Sequence, residues 1–126
     1  MFILNPQSGI PIYRQLTEQV RRLVASGALK PGDALPSVRD VAREHAVNPM
    51  TISKAYGLLE AEGLLEHNRG KPMTVSAQAR RPSALAGRLG QIQTQVAQLA
   101  LAARQLQLTK KQVIDLLDHH WERTDV

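Results

Sequence analysis

Two helix-start signals stand so close together in this chain that the helix between them can run to only about two turns. The first is Ser37 and the second is Asn48-Pro49, with ten residues between them. A serine hydroxyl accepts a free backbone N–H of the first helical turn. Asp40, three residues on, places a negative charge near the positive helix end. At the second start Asn48 serves as cap and Pro49 takes the first helical position, where its missing N–H had no partner. A tight turn must therefore fall around Ala46-Val47. In the first of these helices Val38, Val41 and Ala42 face inward while Arg39, Arg43 and Glu44 face out. In the second, Ile52, Ala55, Tyr56 and Leu59 make the buried stripe, and Gly63 ends it. Helix, tight turn, helix is the outcome these spacings allow.

What flanks the pair adds a wing and a support. Residues 1–10 are short, partly apolar and turn-rich (Asn5-Pro6, Ser8-Gly9), at most a brief strand or arm. A helix opens near Pro11 and places Ile12, Leu16, Val20, Leu23 and Val24 on one face; Gly27 ends it and Lys30–Asp33 turns the chain. Beyond Gly63, Leu64, Leu65, Met73 and Val75 suit two strands around a tip at Arg69-Gly70-Lys71-Pro72. The order is that of a winged helix-turn-helix, whose second helix enters a DNA groove. Thr51, Ser53 and Lys54 lie near the start of that helix, short or flexible enough to approach DNA. Arg69 and Lys71, with Gly70 permitting close backbone approach, suit a groove or phosphate contact, although an ordinary polar hairpin turn would look the same.

Composition narrows the classes. The 126 residues hold one domain, or one with a small appendage. Sixteen Lys and Arg against eleven Asp and Glu give +5; residues 1–82 carry +4 of this and residues 83–126 only +1. The excess sits with the candidate reading head, as a polyanionic partner requires, though charge alone suits a solvated surface equally. Four aromatics, Phe2, Tyr13, Tyr56 and Trp121, leave little for a large apolar ligand pocket. The absence of cysteine excludes disulfides, thiol catalysis and thiolate zinc sites. With neither a basic n-region nor an apolar run of membrane-spanning length, a cytoplasmic protein without a membrane partner is expected.

These residues carry a family resemblance. Pro11, Tyr13 and Gln15, then Gly27, Leu29 and Pro31-Gly32-Asp33, then LPSVR, VNPMTISKAY, LEAEGLL and RGKPMTV resemble, in order and spacing, the N-terminal domain of GntR-family transcription regulators over residues 11 to 76. The VNPMT opening and a C-terminal part of about 45 residues look most like the YtrA subfamily. The resemblance implies a dimeric bacterial repressor, often acting on membrane-transport genes and on its own operon. It also implies a DNA-binding set of Ser37, Arg39, Asn48, Pro49, Met50, Thr51, Ser53, Lys54, Tyr56, Arg69, Gly70 and Lys71, with Arg39 matching the family's groove-reaching arginine. Two departures stand out. Pro49 and Ser53 occupy positions where other members carry arginine, and the wing reads Gly70-Lys71-Pro72 in place of the commoner Gly-x-Gly. Arg39 can donate two parallel bonds to a guanine edge. Asn48 can read adenine or cap its helix, Thr51 can bond a base or a phosphate, and Lys54, Arg69 and Lys71 suit phosphates. Tyr56 belongs to the buried stripe as well as to this set.

Downstream, Ala77–Pro82 reads as a basic linker and Ser83 as the cap of a long helix. Leu85, Leu89, Ile92, Val96, Leu99, Ala103 and Leu106 follow at alternating steps of four and three, an unbroken heptad seam. Thr109 and Gln112 form a capping box for a last helix, Leu108 and Val113 a hydrophobic staple across its start, and Val113, Leu116, Leu117 and His120 share one face. Two antiparallel helices of this size cannot bury their apolar faces alone. Pairing with a second chain is expected, although the seam could instead fold back on its own domain. The fold class is thus α+β, mainly α: a winged helix-turn-helix over residues 1–76, the linker, and a helical dimerisation element over residues 83–126.

The leading function is a dimeric repressor on a palindromic operator. The alternatives are a non-specific architectural DNA-binding protein, which would carry a denser Lys/Arg surface, and a winged-helix protein-interaction module. No enzyme is expected: the chain is too short for the aminotransferase-like domain of some relatives and has no phosphate cradle or nucleophile elbow. Asp115 and His119 stand four apart on a helix as two metal ligands could, but a polar helix end explains them equally, and neither metal nor cofactor is expected. Release from DNA would need a small-molecule effector that favours one head spacing, seated at the dimer seam or the linker junction.

Overall fold

The computed structural model describes residues 1–77, 79 and 85–123. In order they form α1 (Ile12–Ser26), α2 (Val38–His45), α3 (Pro49–Ala61), β1 (Leu65–Glu66), β2 (Thr74–Val75), α4 (Leu85–Gln105) and α5 (Lys110–Arg123). The fold is mainly helical with one small antiparallel sheet, as expected. The chain divides into two compact units, Met1–Arg88 and Leu89–Val126. Most of the expected linker, and the expected cap Ser83, lie outside the described residues.

Local chemistry sets each helix boundary in the first unit. The Pro11 carbonyl accepts from the N–H groups of Arg14 and Gln15 at 3.0 and 3.1 Å, opening α1, and Gly27 closes it in the left-handed region at φ 83°. The Ser37 hydroxyl accepts from the Asp40 N–H at 3.0 Å, and the Asn48 side chain accepts from the Met50 N–H at 2.9 Å. Both are the N-cap bonds that Ser and Asn supply. Helix α2 ends with Ala46 at φ 53°, where the Val47 N–H reaches back to the Ala42 carbonyl at 3.0 Å. Helix α3 ends in the same manner with Gly63 at φ 82° and the Leu64 N–H on the Leu59 carbonyl at 3.0 Å. These are Schellman closures, and both turn the chain sharply within two residues.

One core joins the head. Leu16 and Val20 of α1, Ile52, Ala55 and Leu59 of α3, and Val75 of β2 are fully buried. Val24, Leu29, Leu35, Val41, Ala42, Tyr56, Leu65 and Phe2 complete it. Helix α3 packs on α1, on α2 and on β1, so it is held from three sides. Full burial of a side chain such as Ile52 or Leu59 stabilises by about 1.5–3 kcal/mol. That is how two marginal short helices become rigid.

The sheet is wider than the sequence implied. Leu65 pairs with Val75 and Glu66 with Thr74. On the other side of β2 the segment before α2 adds a bridge, Ala34 to Thr74. The Leu35 N–H donates to the Met73 carbonyl and the Val75 N–H to the Asp33 carbonyl, both at 2.8 Å. The wing is thereby tied at its root to the chain that enters α2. The N-terminal arm is held by side chains rather than by a strand. The Gln19 amide both accepts from and donates to the backbone of Ile3, at 2.9 and 2.6 Å. The Gln15 amide accepts from the Asn5 N–H at 2.8 Å and donates to the carbonyls of Asn5 and Ile10. The clamp brings Phe2 into the core at 5% exposure.

In the second unit the Thr109–Gln112 box closes in both directions, at 2.8 and 3.2 Å. Helix α4 ends with Gln107 at φ 59° and the Leu108 N–H on the Ala103 carbonyl. Ala103 is the one buried residue of α4, and α5 has none among its described residues. Leu85, Leu89, Ile92, Val96, Leu99, Leu106, Leu116 and Leu117 are all exposed, while Val113 is half-buried.

Candidate nucleic-acid interface

Helix α3 presents two faces with different work. Ile52, Ala55, Tyr56 and Leu59 are buried. Met50, Ser53, Lys54 and Gly57 are exposed and follow one another at helical spacing. Asn48 and Pro49 are exposed at the helix start and Thr51 is half-buried. With the Asn48 carboxamide oxygen occupied by the Met50 N–H, the cap takes the acceptor that would otherwise face a base. Ser37, the cap of α2, and Arg39 within it are exposed, and Arg39 has no ion-pair partner among the described residues.

The wing carries its cations on a fixed turn. The Lys71 N–H donates to the Asn68 carbonyl at 2.9 Å, with Gly70 at φ 73° between Arg69 and Lys71. A Cβ at Gly70 would meet nothing within 4 Å, so the backbone conformation, not crowding, calls for glycine there. The Asn68 amide donates to the Thr74 hydroxyl at 3.2 Å and braces the tip against β2. Arg69 and Lys71 are exposed.

Charge is distributed unevenly over the head. The ion pairs among the described residues all use α1 arginines: Arg14 and Arg22 with Glu18, and Arg21 with Glu62. The Arg21 guanidinium grips both oxygens of Glu62 at the end of α3. That hydrogen bond, outweighing a smaller desolvation effect, holds the Glu62 carboxyl below its ordinary value and raises Arg21. Being exposed, the pair adds little stability beyond tying α3 to α1. Among the described residues Arg39, Arg69 and Lys71 are left without an ion-pair partner, as a phosphate-binding surface needs.

Two side chains behave differently from their place in the sequence. Tyr56 is only 3% exposed. Its hydroxyl donates to the Pro36 carbonyl at 2.7 Å, and burial pushes the phenol well above its ordinary value. The structure gives Tyr56 to the core, where it fixes α3 against the entry to α2. Tyr13, by contrast, meets the exposed face of α3: the Lys54 ammonium sits over its ring, 4.0 Å from the centroid. A cation–π contact of this kind stabilises by about 0.5–1 kcal/mol at an exposed site. Forty-one positions separate the two residues, so no local spacing could reveal the pair.

The architecture and its motifs have close counterparts. Residues 12–75 match the model of the bacterial regulatory proteins of the gntR family. The chain belongs to the GntR family. It is 41% identical over 103 residues to the HTH-type transcriptional repressor YtrA of Bacillus subtilis, covering 82% of this chain and 78% of that protein. Its fold follows YtrA of Sulfolobus acidocaldarius with a TM-score of 0.54 at 26% identity, over 99% of this chain and all of that one. It also follows the AraR DNA-binding domain in complex with operator ORX1, with a TM-score of 0.51 at 27% identity, over 60% and 93% of the two chains. As a GntR-family member the chain is a DNA-binding transcription regulator with a YtrA-like winged helix-turn-helix, not an enzyme. None of its described helices is long and apolar enough to cross a membrane.

Proposed function

We propose that this GntR-family chain acts as a homodimeric repressor that reads an inverted repeat in double-stranded DNA. The observation that carries the dimer is the uncovered apolar face of α4 and α5. Eight leucine, isoleucine and valine side chains of α4, α5 and the turn between them, spaced as a heptad seam and its continuation, are at least 44% exposed. A face of this extent on two helices needs a partner, and a second copy presents the same surface. Two heads about 34–36 Å apart would meet successive major grooves on one side of a duplex.

Within each head, Arg39 reads a guanine edge while Lys54, Arg69 and Lys71 neutralise phosphates. Pro49, Met50, Thr51 and Ser53 border the base edges; Ser37, Asn48 and Gly70 hold the backbone that presents them. Repression follows from occupancy of a site overlapping a promoter, which is the role named for the Bacillus YtrA. The AraR domain on its operator supports duplex DNA as partner. Genes for membrane transport and the chain's own operon are the expected targets. A small-molecule effector would act by favouring one head spacing, and the protein works in the cytoplasm. Immunoprecipitation of the protein with its genomic DNA, followed by sequencing, tests this reading. A shared inverted repeat upstream of such genes is expected; fragments without a common sequence would point to an architectural protein instead.

A further inference from the structure

We propose that Met50 reads the 5-methyl group of a thymine in the major groove, giving each half-site a thymine preference at the position facing the start of α3. This rests on the operator-binding reading above and names the base chemistry of one of its residues. Met50 is the second residue of α3 and is 77% exposed, the highest value among the exposed large apolar side chains of the described residues. The core does not account for it, because Ile52, Ala55, Tyr56 and Leu59 supply the buried face of the same helix. Its base is fixed: the Met50 N–H is held by the Asn48 side chain at 2.9 Å, and Pro49 precedes it. The thioether therefore projects from a rigid helix start. Ser53 and Lys54 follow on the same exposed face, three and four residues on.

The chemistry of α3 narrows what this side chain meets. The helix contains no arginine, so no guanidinium fork for guanine comes from it. Of the groups that base pairs present in the major groove, the thymine methyl is the one that gains from an apolar contact. Methionine is unbranched and polarizable, and it fits such a contact at little steric cost. Uncompensated cations on the same head, Arg39, Arg69 and Lys71, favour a polyanion over an apolar protein surface as the occupant.

The test begins with full-length protein and a pool of randomised duplexes, selected to one bound sequence. Enrichment of a single inverted repeat is expected. A pool that stays random would remove the operator reading, and this proposal with it. Each thymine of the selected duplex is then replaced in turn by deoxyuridine, which deletes only the methyl group. One symmetric pair of replacements should weaken the wild-type protein by about fourfold per half-site, the effect of one buried methyl. Met50→Ala should lose affinity for the thymine duplex by a similar factor and be indifferent to that replacement, while Met50→Leu keeps the preference. Circular dichroism checks that each variant is folded. A wild-type protein indifferent to every replacement, or a Met50→Ala variant that still distinguishes thymine from deoxyuridine, overturns the proposal while leaving the operator reading intact.

Discussion

Replacing Ala46 by glycine should make this protein more stable, and the turn between α2 and α3 shows why. Ala46 closes α2 at φ 53°, in the left-handed region, and is exposed there. An L-residue with a Cβ in that region costs about 1–2 kcal/mol relative to the right-handed one. Glycine removes the cost but brings a more flexible unfolded chain, which takes back about 0.4–1 kcal/mol. No buried contact is lost with an exposed methyl, so the net gain should be about 0.5–1 kcal/mol. For a head of this size that corresponds to a rise in Tm of about 2–8 °C. Gly63 gives the mirror experiment. It sits at φ 82° in the matching closure of α3, and a Cβ there would meet nothing within 4 Å. Gly63→Ala should therefore destabilise through backbone strain alone, by about 1 kcal/mol. Urea and thermal unfolding followed by circular dichroism, at one fixed protein concentration, measure both. If Ala46→Gly left the midpoint unchanged or lowered it, the turn would store no strain and the reasoning would fail.

Four further outcomes follow from the head and the tail. Arg39→Ala should reduce binding to the selected operator by about 1–3 kcal/mol and spare random DNA; competition binding checks it, and an unchanged preference would refute the role. Removing any one of Lys54, Arg69 or Lys71 should weaken all duplexes alike and reduce the salt slope by about 0.9 per phosphate contact; a variant with an unaltered slope has lost no such contact. Leu99→Asp should split the proposed dimer by placing a charge in the seam, so sedimentation at equal concentration should show the smaller species; an unaltered assembly would refute the seam. Tyr56 gives a pH signature: burial holds its phenol above the ordinary value of 10.0. Its contribution is fully present below that value and is lost as pH rises through the folded one. Tyr56→Phe should be less stable at neutral pH by about 1 kcal/mol, the worth of the bond to Pro36, and should lose less on alkaline titration than wild type. Equal alkaline slopes would sink the assignment.

Much of the fold was legible because its punctuation is local. Ser37 with Asp40, Asn48 with Met50, and Thr109 with Gln112 are bonds between residues two or three apart. The apolar spacings of α1 and α3 likewise identified their buried faces before any packing was known. Contacts between distant residues were not legible. The Gln15 and Gln19 clamp on the arm spans ten and sixteen positions, and its only trace was two glutamines four apart. The bridge from Ala34 to Thr74 spans forty, and Ala34 directly follows a segment that reads as a turn.

What the chain determined by itself is where helices start, where they stop and which residue types line each side. Capping, φ preference and periodicity act within a turn or two, so they are written in consecutive residues. Tertiary structure placed the Tyr56 ring in the core and its hydroxyl on the Pro36 carbonyl. It also brought Tyr13 beneath Lys54 and put Ala46 into a left-handed conformation that few residues adopt freely. These outcomes depend on α1, α2 and α3 sharing one core. Burial across long chain separations supplies the free energy that a local strain of about 1–2 kcal/mol must be set against.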